Sequence, residues 1–200
     1  MTIDDDARLY DGEGRRLYLT QDERAAFMVV ARTLPRLERT FCTILHDTGC
    51  RISEALALPG RRVDLAGKAV VLETLKKRRR GVYRAVPLPD VTLDTLDMVH
   101  GLSEARSAGN AALLDELLWP ISRTTAWRIV KRAMEVAGIE EGPHRAPKGL
   151  RHAFGIHAIL CGVPITSLRK WMGHAKLETT AIYLDAVGAE SREIAARMWS

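Results

Sequence analysis

The sequence predicts a mainly α-helical domain with one small antiparallel β-sheet. Three observations carry this expectation. Apolar residues recur at helical spacing over most of the 200 residues. Only two short stretches, 68–74 and 82–88, are rich in β-branched residues, and they flank a very basic turn. Gly and Pro punctuate the pattern at short intervals, with no internal repeat and no Pro/Ser-rich linker that would divide the chain. At 46% hydrophobic and 28% charged, such a chain can bury one core and is short for two ordinary ones.

Residues 1–19 carry acidic and glycine-containing polar stretches without an apolar period, and read as a loosely held arm. Order is expected from Thr20, because Thr20-Gln21-Asp22-Glu23 has capping-box spacing and opens a helix that runs to about Leu34. Pro35 closes it and starts a second, whose Leu37, Phe41, Ile44 and Leu45 share one face and which Gly49 ends. A short helix over 52–58 precedes Pro59-Gly60, and the two strands follow. From Asp90 onward helices are predicted at about 90–105, 122–137, 148–161, 164–172, 177–185 and 189–199. In the helix over 177–185 the apolar stripe is Leu177, Ala181 and Leu184, which leaves Tyr183 roughly 120° away and off the core. Cys161 shares the face of Leu150, Phe154 and Ala158 and reads as core.

Thirty Lys and Arg against 25 Asp and Glu leave a net charge of +5, which allows a polyanionic partner without requiring one. The longest wholly apolar stretch, Ala25 to Ala31, falls far short of the roughly 18 residues that cross a bilayer, so no membrane association is expected. The acidic opening lacks the positive charge of a presequence, and three cysteines make no disulfide framework; the expected location is the cytoplasm. Phosphate loops of the GxxxxGK[ST] kind, GxGxxG turns, HExxH and GxSxG are absent, which removes the usual signals for nucleotide hydrolysis, hydride transfer and common hydrolases.

Three constellations stand out. Lys76, Lys77, Arg78, Arg79 and Arg80, with Arg84 after them, form the densest positive run, suited either to nucleic-acid phosphates or to a solvated hairpin tip. Cys42, His46 and Cys50 fall at i, i+4 and i+8, a spacing for three ligands along one helix. Gly49 should end that helix before Cys50, however, and no fourth ligand is near, so no metal site is read. The last quarter holds His144-Arg145-Ala146-Pro147-Lys148-Gly149-Leu150-Arg151-His152, then Trp171-Met172-Gly173-His174, then Tyr183. Lys148 and Arg151 share a helix face, and a phenol beside arginines and histidine can attack phosphorus while the cations hold the oxygens. A partly exposed tyrosine among surface ion pairs is the structural alternative.

Here the sequence resembles the tyrosine recombinase, or phage integrase, family from about residue 20 to the end. Thr48-Gly49-Cys50-Arg51-Ile52-Ser53-Glu54-Ala55-Leu56 looks like the first arginine motif, Leu150-Arg151-His152 like the second, and Gly173-His174 followed by Tyr183 like the histidine and the nucleophile. The resemblance implies the family's catalytic-domain fold over 20–187 and a cut-and-rejoin reaction on double-stranded DNA. Tyr183 would form a 3′-phosphotyrosyl link, Arg51, Arg151 and His174 would hold the phosphate, and a lysine of the hairpin, Lys76 or else Lys77, would protonate the departing 5′-oxygen. No cofactor or metal ion is implied. Lys148 stands where the family usually has histidine and is kept as a site residue; Arg78, Arg79, Arg80 and Arg84 are expected DNA contacts. The length leaves no room for the family's N-terminal core-binding domain and is similar to the short, catalytic-domain-only fimbrial invertases. A DNA-bound homotetramer, accessory DNA-bending proteins and a nucleoid location are also implied. The terminal helix over 188–200 would pack on its own domain or exchange with a neighbouring protomer. Two alternatives have other activities: an inactive DNA-binding regulator with this fold, and a type IB topoisomerase-like swivelase.

Overall fold

A computed structural model describes residues 8–75 and 81–185; the basic run 76–80 and the expected helix over 189–199 lie outside the described residues. Helix α1 (Gln21–Ala31) opens with the capping box the sequence predicts, the Thr20 hydroxyl accepting from the Glu23 amide. Pro35 precedes α2 (Arg36–Thr48), and Gly49 ends it in the left-handed region at φ 59. The short α3 (Ile52–Leu56) leads through a 3₁₀ turn at Gly60–Arg62 into the sheet.

The sheet has three antiparallel strands in the order β1 (Val63–Asp64), β2 (Ala69–Glu73) and β3 (Tyr83–Pro87), with Val70 opposite Val86 and Leu72 opposite Arg84. At two residues β1 is too short to leave a period-2 pattern, which is why it was not predicted. The helix expected over 90–105 is broken: Gly101, at φ 63, separates α4 (Asp90–His100) from α5 (Leu102–Ser107). A further short helix, α6 (Ala111–Asp115), precedes α7 (Arg123–Val136), α8 (Pro147–Leu160), α9 (Ile165–Met172) and α10 (Glu178–Asp185). Among the described residues no helix is long and apolar enough to cross a membrane.

Two helices organise the packing. Residues 40–46 of α2 are all buried, because α1, α4 and α8 pack around it, and Leu37 lies beyond this enclosure at 44% exposure. The threonines this buries bond within α2 or to the core: Thr48 donates to the Ile44 carbonyl at 2.6 Å, and Thr40 accepts from the Trp119 indole at 3.0 Å. Helix α8 lies between two apolar clusters. Leu150 and Ala153 join Phe41, Ile44 and the sheet, whereas Phe154, Ile156 and Ile159 join Leu168, Met172 and Tyr183.

The segment over 8–19 is tied down rather than loose. Leu9 and Leu19 are buried in the two clusters, the Leu19 amide donates to the Gly149 carbonyl at 3.3 Å, and Arg16 pairs with Glu23. Cys161 is exposed at the end of α8 instead of joining its core face. The stripe assigned to α10 is also displaced: Leu177 and Leu184 are 42% and 50% exposed, and the docked face carries Thr180 and Tyr183.

Candidate active site

Three of the predicted residues border one open cleft of about 260 Å³: Arg51, Lys148 and Arg151. Arg51 is there because it caps α3, its backbone amide and its guanidinium both donating to the Glu54 carboxylate at 3.0 Å. Lys148 and Arg151 lie on the first turns of α8, whose amino end opens on the cleft through Ala146 and Pro147. Planar guanidiniums, an ammonium and the positive end of a helix dipole around one opening suit a tetrahedral oxyanion.

Buried groups fix this arrangement from behind. The Arg151 guanidinium, 3% exposed as a residue, donates to the carbonyl of Gly49 at 2.6 Å and to that of Met172 at 2.8 Å. It thereby takes up carbonyls at the ends of α2 and α9 that have no partner within their helices. A side chain at Gly49 would collide with the ring of Phe154, its Cβ falling 2.4 Å from Cδ1, so only glycine lets α2 end this close to α8. The second hydrogen of Arg151 Nη2 points to Nε2 of His174 at 2.9 Å. Arginine cannot accept, so that nitrogen carries the lone pair and Nδ1–H of His174 donates to the Thr180 hydroxyl at 3.0 Å.

The negative charge at the centre is Glu54, fully buried and 2.6 Å from Arg84 Nη2. Burial pushes its carboxyl up, but Arg84 and Arg151 and the bonds it accepts outweigh this and hold it below its ordinary 4.5. Arg84 donates further to the Trp171 carbonyl at 2.7 Å and the Thr74 hydroxyl at 2.9 Å. It was expected among the surface DNA contacts, yet its side chain is only 7% exposed. The strand explains the difference: Arg84 is two residues from Val86 on the inward face of β3 and lies opposite Leu72.

Tyr183 does not border the cleft. Its ring is fully buried, it stacks at 6.4 Å on His174, and its hydroxyl is 3.1 Å from Nδ1 of His152. Space for it comes from Gly155, where a Cβ would fall 2.6 Å from the tyrosine ring. His144, another histidine near the second arginine, turns instead toward Glu23 at 3.8 Å.

The cysteine–histidine line is differently employed. Cys50 lies past the end of α2, and burial pushes its thiol up to about 11 and that of Cys42 up to about 12. His46 bonds Asp47 at 2.6 Å. Among the described residues no three His, Cys, Asp or Glu side chains group to hold a metal ion. Lys76, Lys77, Arg78, Arg79 and Arg80 lie outside the described residues. Sequence reasoning missed Glu54 as a countercharge, His152 as the partner of the phenol, and Arg123 and Trp127, which complete the wall of the cleft.

The fold and this cleft define a helical domain with a basic cleft at the amino end of α8, and comparison with known proteins places it. The model of the phage integrase family matches residues 17–189, and the chain belongs to that family. It is 32% identical over 198 residues to the tyrosine recombinase XerD of Mycobacterium leprae, covering 90% of this chain and 61% of that protein. The chain thus spans about three fifths of that relative. Among solved structures, the XerH site-specific recombinase bound to its difH substrate before cleavage has a TM-score of 0.70 at 20% identity, over 96% of this chain and 60% of the other. The catalytic domain of bacteriophage HP1 integrase has a TM-score of 0.60 at 21% identity, over 87% of this chain and 91% of that domain. The architecture is therefore that of a tyrosine recombinase catalytic domain.

Proposed function

We propose that the chain is the catalytic domain of a site-specific DNA recombinase that cuts and rejoins duplex DNA through a tyrosine. The observation that carries the reading is the convergence of Arg51, Lys148 and Arg151 on one cleft, with His174 bonded to Arg151 at 2.9 Å. In this reading a phosphodiester sits in the cleft with its non-bridging oxygens on Arg51 and Arg151, whose planar forks match phosphate. The Tyr183 oxygen forms the new bond to phosphorus as its proton passes to water; the bond to the 5′-oxygen breaks, and Lys76 or Lys77 gives that oxygen a proton. The 3′-phosphotyrosyl link keeps the phosphodiester's energy, so rejoining is the same exchange reversed. Lys148 adds positive charge to the phosphate site.

The buried seat of Tyr183 adds a requirement: the phenol must leave α8 before it can reach a phosphate. Withdrawing an aromatic ring from full burial costs about 2 kcal/mol, an amount that contacts with DNA can supply. DNA also offers the means to assemble protomers, and we read the acting form as a homotetramer on paired sites.

The test uses nicked duplexes tiled across the DNA flanking the protein's own gene, mixed with wild type and with Tyr183→Phe. The nick lets the released fragment escape and traps the intermediate. A denaturant-resistant protein–DNA adduct is expected with wild type and not with the phenylalanine variant. An adduct retained by Tyr183→Phe removes Tyr183 from its role, and tight binding without any adduct overturns the enzyme reading.

A further inference from the structure

We propose that α7 carries a second contact for the strand held in the cleft: Arg123 takes the phosphate beside the reacting one, and the Trp127 indole packs on the nucleotide between them. The inference rests on the recombinase reading above and names residues that its catalytic motifs do not contain. Arg123 and Trp127 form the α7 wall of the same cleft that Arg51, Lys148 and Arg151 border. With Lys131 they fall at i, i+4 and i+8, so the three make one ridge about 12 Å long that begins at the cleft.

The ridge is anchored from beneath. Ala126, Val130, Ala133 and Met134 bury the adjoining face of α7, so the ridge is carried by the core and not by a loop. Trp127 nevertheless leaves 44% of its surface exposed beside the cations of the cleft. The Lys131 ammonium lies 5.5 Å from the centre of its ring, within cation–π range, and pairs with Glu141 at 3.1 Å, so one face of the indole is backed by the ridge. An indole braced next to a phosphate site has a chemical use, because every nucleotide offers an apolar sugar and a π-face whatever its sequence. A guanidinium one helical turn away serves the adjoining phosphate. Together they would keep the nucleotide next to the broken bond from fraying while the strand is held by the enzyme alone.

The experiment measures binding of a short fluorescent duplex and adduct formation on the nicked duplex that carries the mapped cleavage site. Wild type is compared with Trp127→Ala, Trp127→Phe, Arg123→Ala and Arg36→Ala, the last removing an exposed arginine at the opposite end of α2 from the cleft. Trp127→Ala and Arg123→Ala are each expected to weaken duplex binding about tenfold, and Trp127→Phe to restore most of the first loss. Arg36→Ala is expected to stay near wild type, and Arg123→Ala alone to lower the salt dependence by about one released counterion. Replacing the nucleotide beside the cleaved bond with an abasic residue should slow wild type and leave Trp127→Ala unchanged. Trp127→Ala binding and cleaving like wild type, or Arg36→Ala losing as much as Arg123→Ala, overturns the proposal. Wild type that binds duplex without forming an adduct fails the recombinase reading alone, and the binding comparison then still decides for or against the ridge.

Discussion

Arg151 and His152 are consecutive residues of α8, yet they serve two regions built in opposite ways. Arg151 belongs to a polar frame in which carbonyls of Gly49 and Met172, the buried Glu54 and the guanidinium of Arg84 hold one another by charge and directed hydrogen bonds. His152 belongs to an apolar seat where Tyr183 lies against Gly155 and His174, with the contact from its hydroxyl to His152 at 3.1 Å. A frame of buried charges cannot give up one member without stranding another, so it keeps its geometry whether or not a ligand is present. A packed ring can be withdrawn for the free energy of its burial, which other contacts can replace. The difference assigns rigidity to the groups that would receive charge and mobility to the group that would move.

The comparison breaks most severely at Arg151. Arg151→Lys keeps one positive charge but reaches only one of the two helix-end carbonyls and presents no planar fork to an oxyanion. Adduct formation on the nicked duplex should fall by about 10²–10³, the range for losing a donor aimed at developing charge, with duplex binding reduced far less. A loss shared equally between binding and cleavage would mean that the frame only holds DNA.

Glu54→Gln tests the frame at its buried centre, and loosens the guanidinium of Arg51 that the same carboxylate holds at the cleft. It leaves Arg84 buried opposite an uncharged amide, and a loss of about 3 kcal/mol is expected in urea unfolding at neutral pH. The dependence on pH has a definite sign. The Glu54 carboxyl titrates below 4.5 in the folded chain, so the folded state holds fewer protons than the unfolded one as acid is added. Its contribution is complete above that ordinary value and is lost as pH falls through the folded one. The gap between wild type and Glu54→Gln should therefore close in acid. A gap that stays constant to low pH would show that packing, and not the ion pair, made the difference.

These two regions were not equally legible in the sequence. The residues around the cleft could be named because the motifs that hold Arg51, Arg151 and His174 resemble those of the family, and Pro147 and Gly49 marked the helix ends that aim them. Arg84 was also readable in principle, since strand alternation puts it on the face of Val86; the run of cations before it drew the reading outward. The burial of Tyr183 had no local signal. Leu177, Ala181 and Leu184 make the apolar stripe that the sequence offers over 177–185, and the side that docks is chosen by a gap at Gly155 on another helix. Complementarity between elements is a property of pairs of helices, and a single helix's periodicity does not contain it. Trp127 was hidden for a related reason: it flanks the buried face of α7, and only the neighbouring α8 and α3 make its edge into a cleft.

The smallest expected effect is the sharpest test of the seat. Gly155→Ala, in the middle of a helix, would ordinarily gain roughly 1 kcal/mol from the helix preference of alanine. Here the added methyl would fall 2.6 Å from Cε2 and Cζ of the tyrosine, so the ring must shift and α10 with it. Overpacking of this kind costs about 1–3 kcal/mol and should cancel or outweigh the gain, leaving the variant about 1 kcal/mol less stable. The loss should be local: amide exchange should quicken in α10 and leave α2 and the frame around Glu54 unchanged. Because the displaced phenol starts part of the way out, adduct formation per bound duplex should rise or hold, whereas Arg151→Lys lowers it. An alanine variant that is more stable than wild type, with exchange in α10 unaltered, would mean that the ring has room to spare, and the contrast between a rigid frame and a tight, leavable seat would fail at its second half.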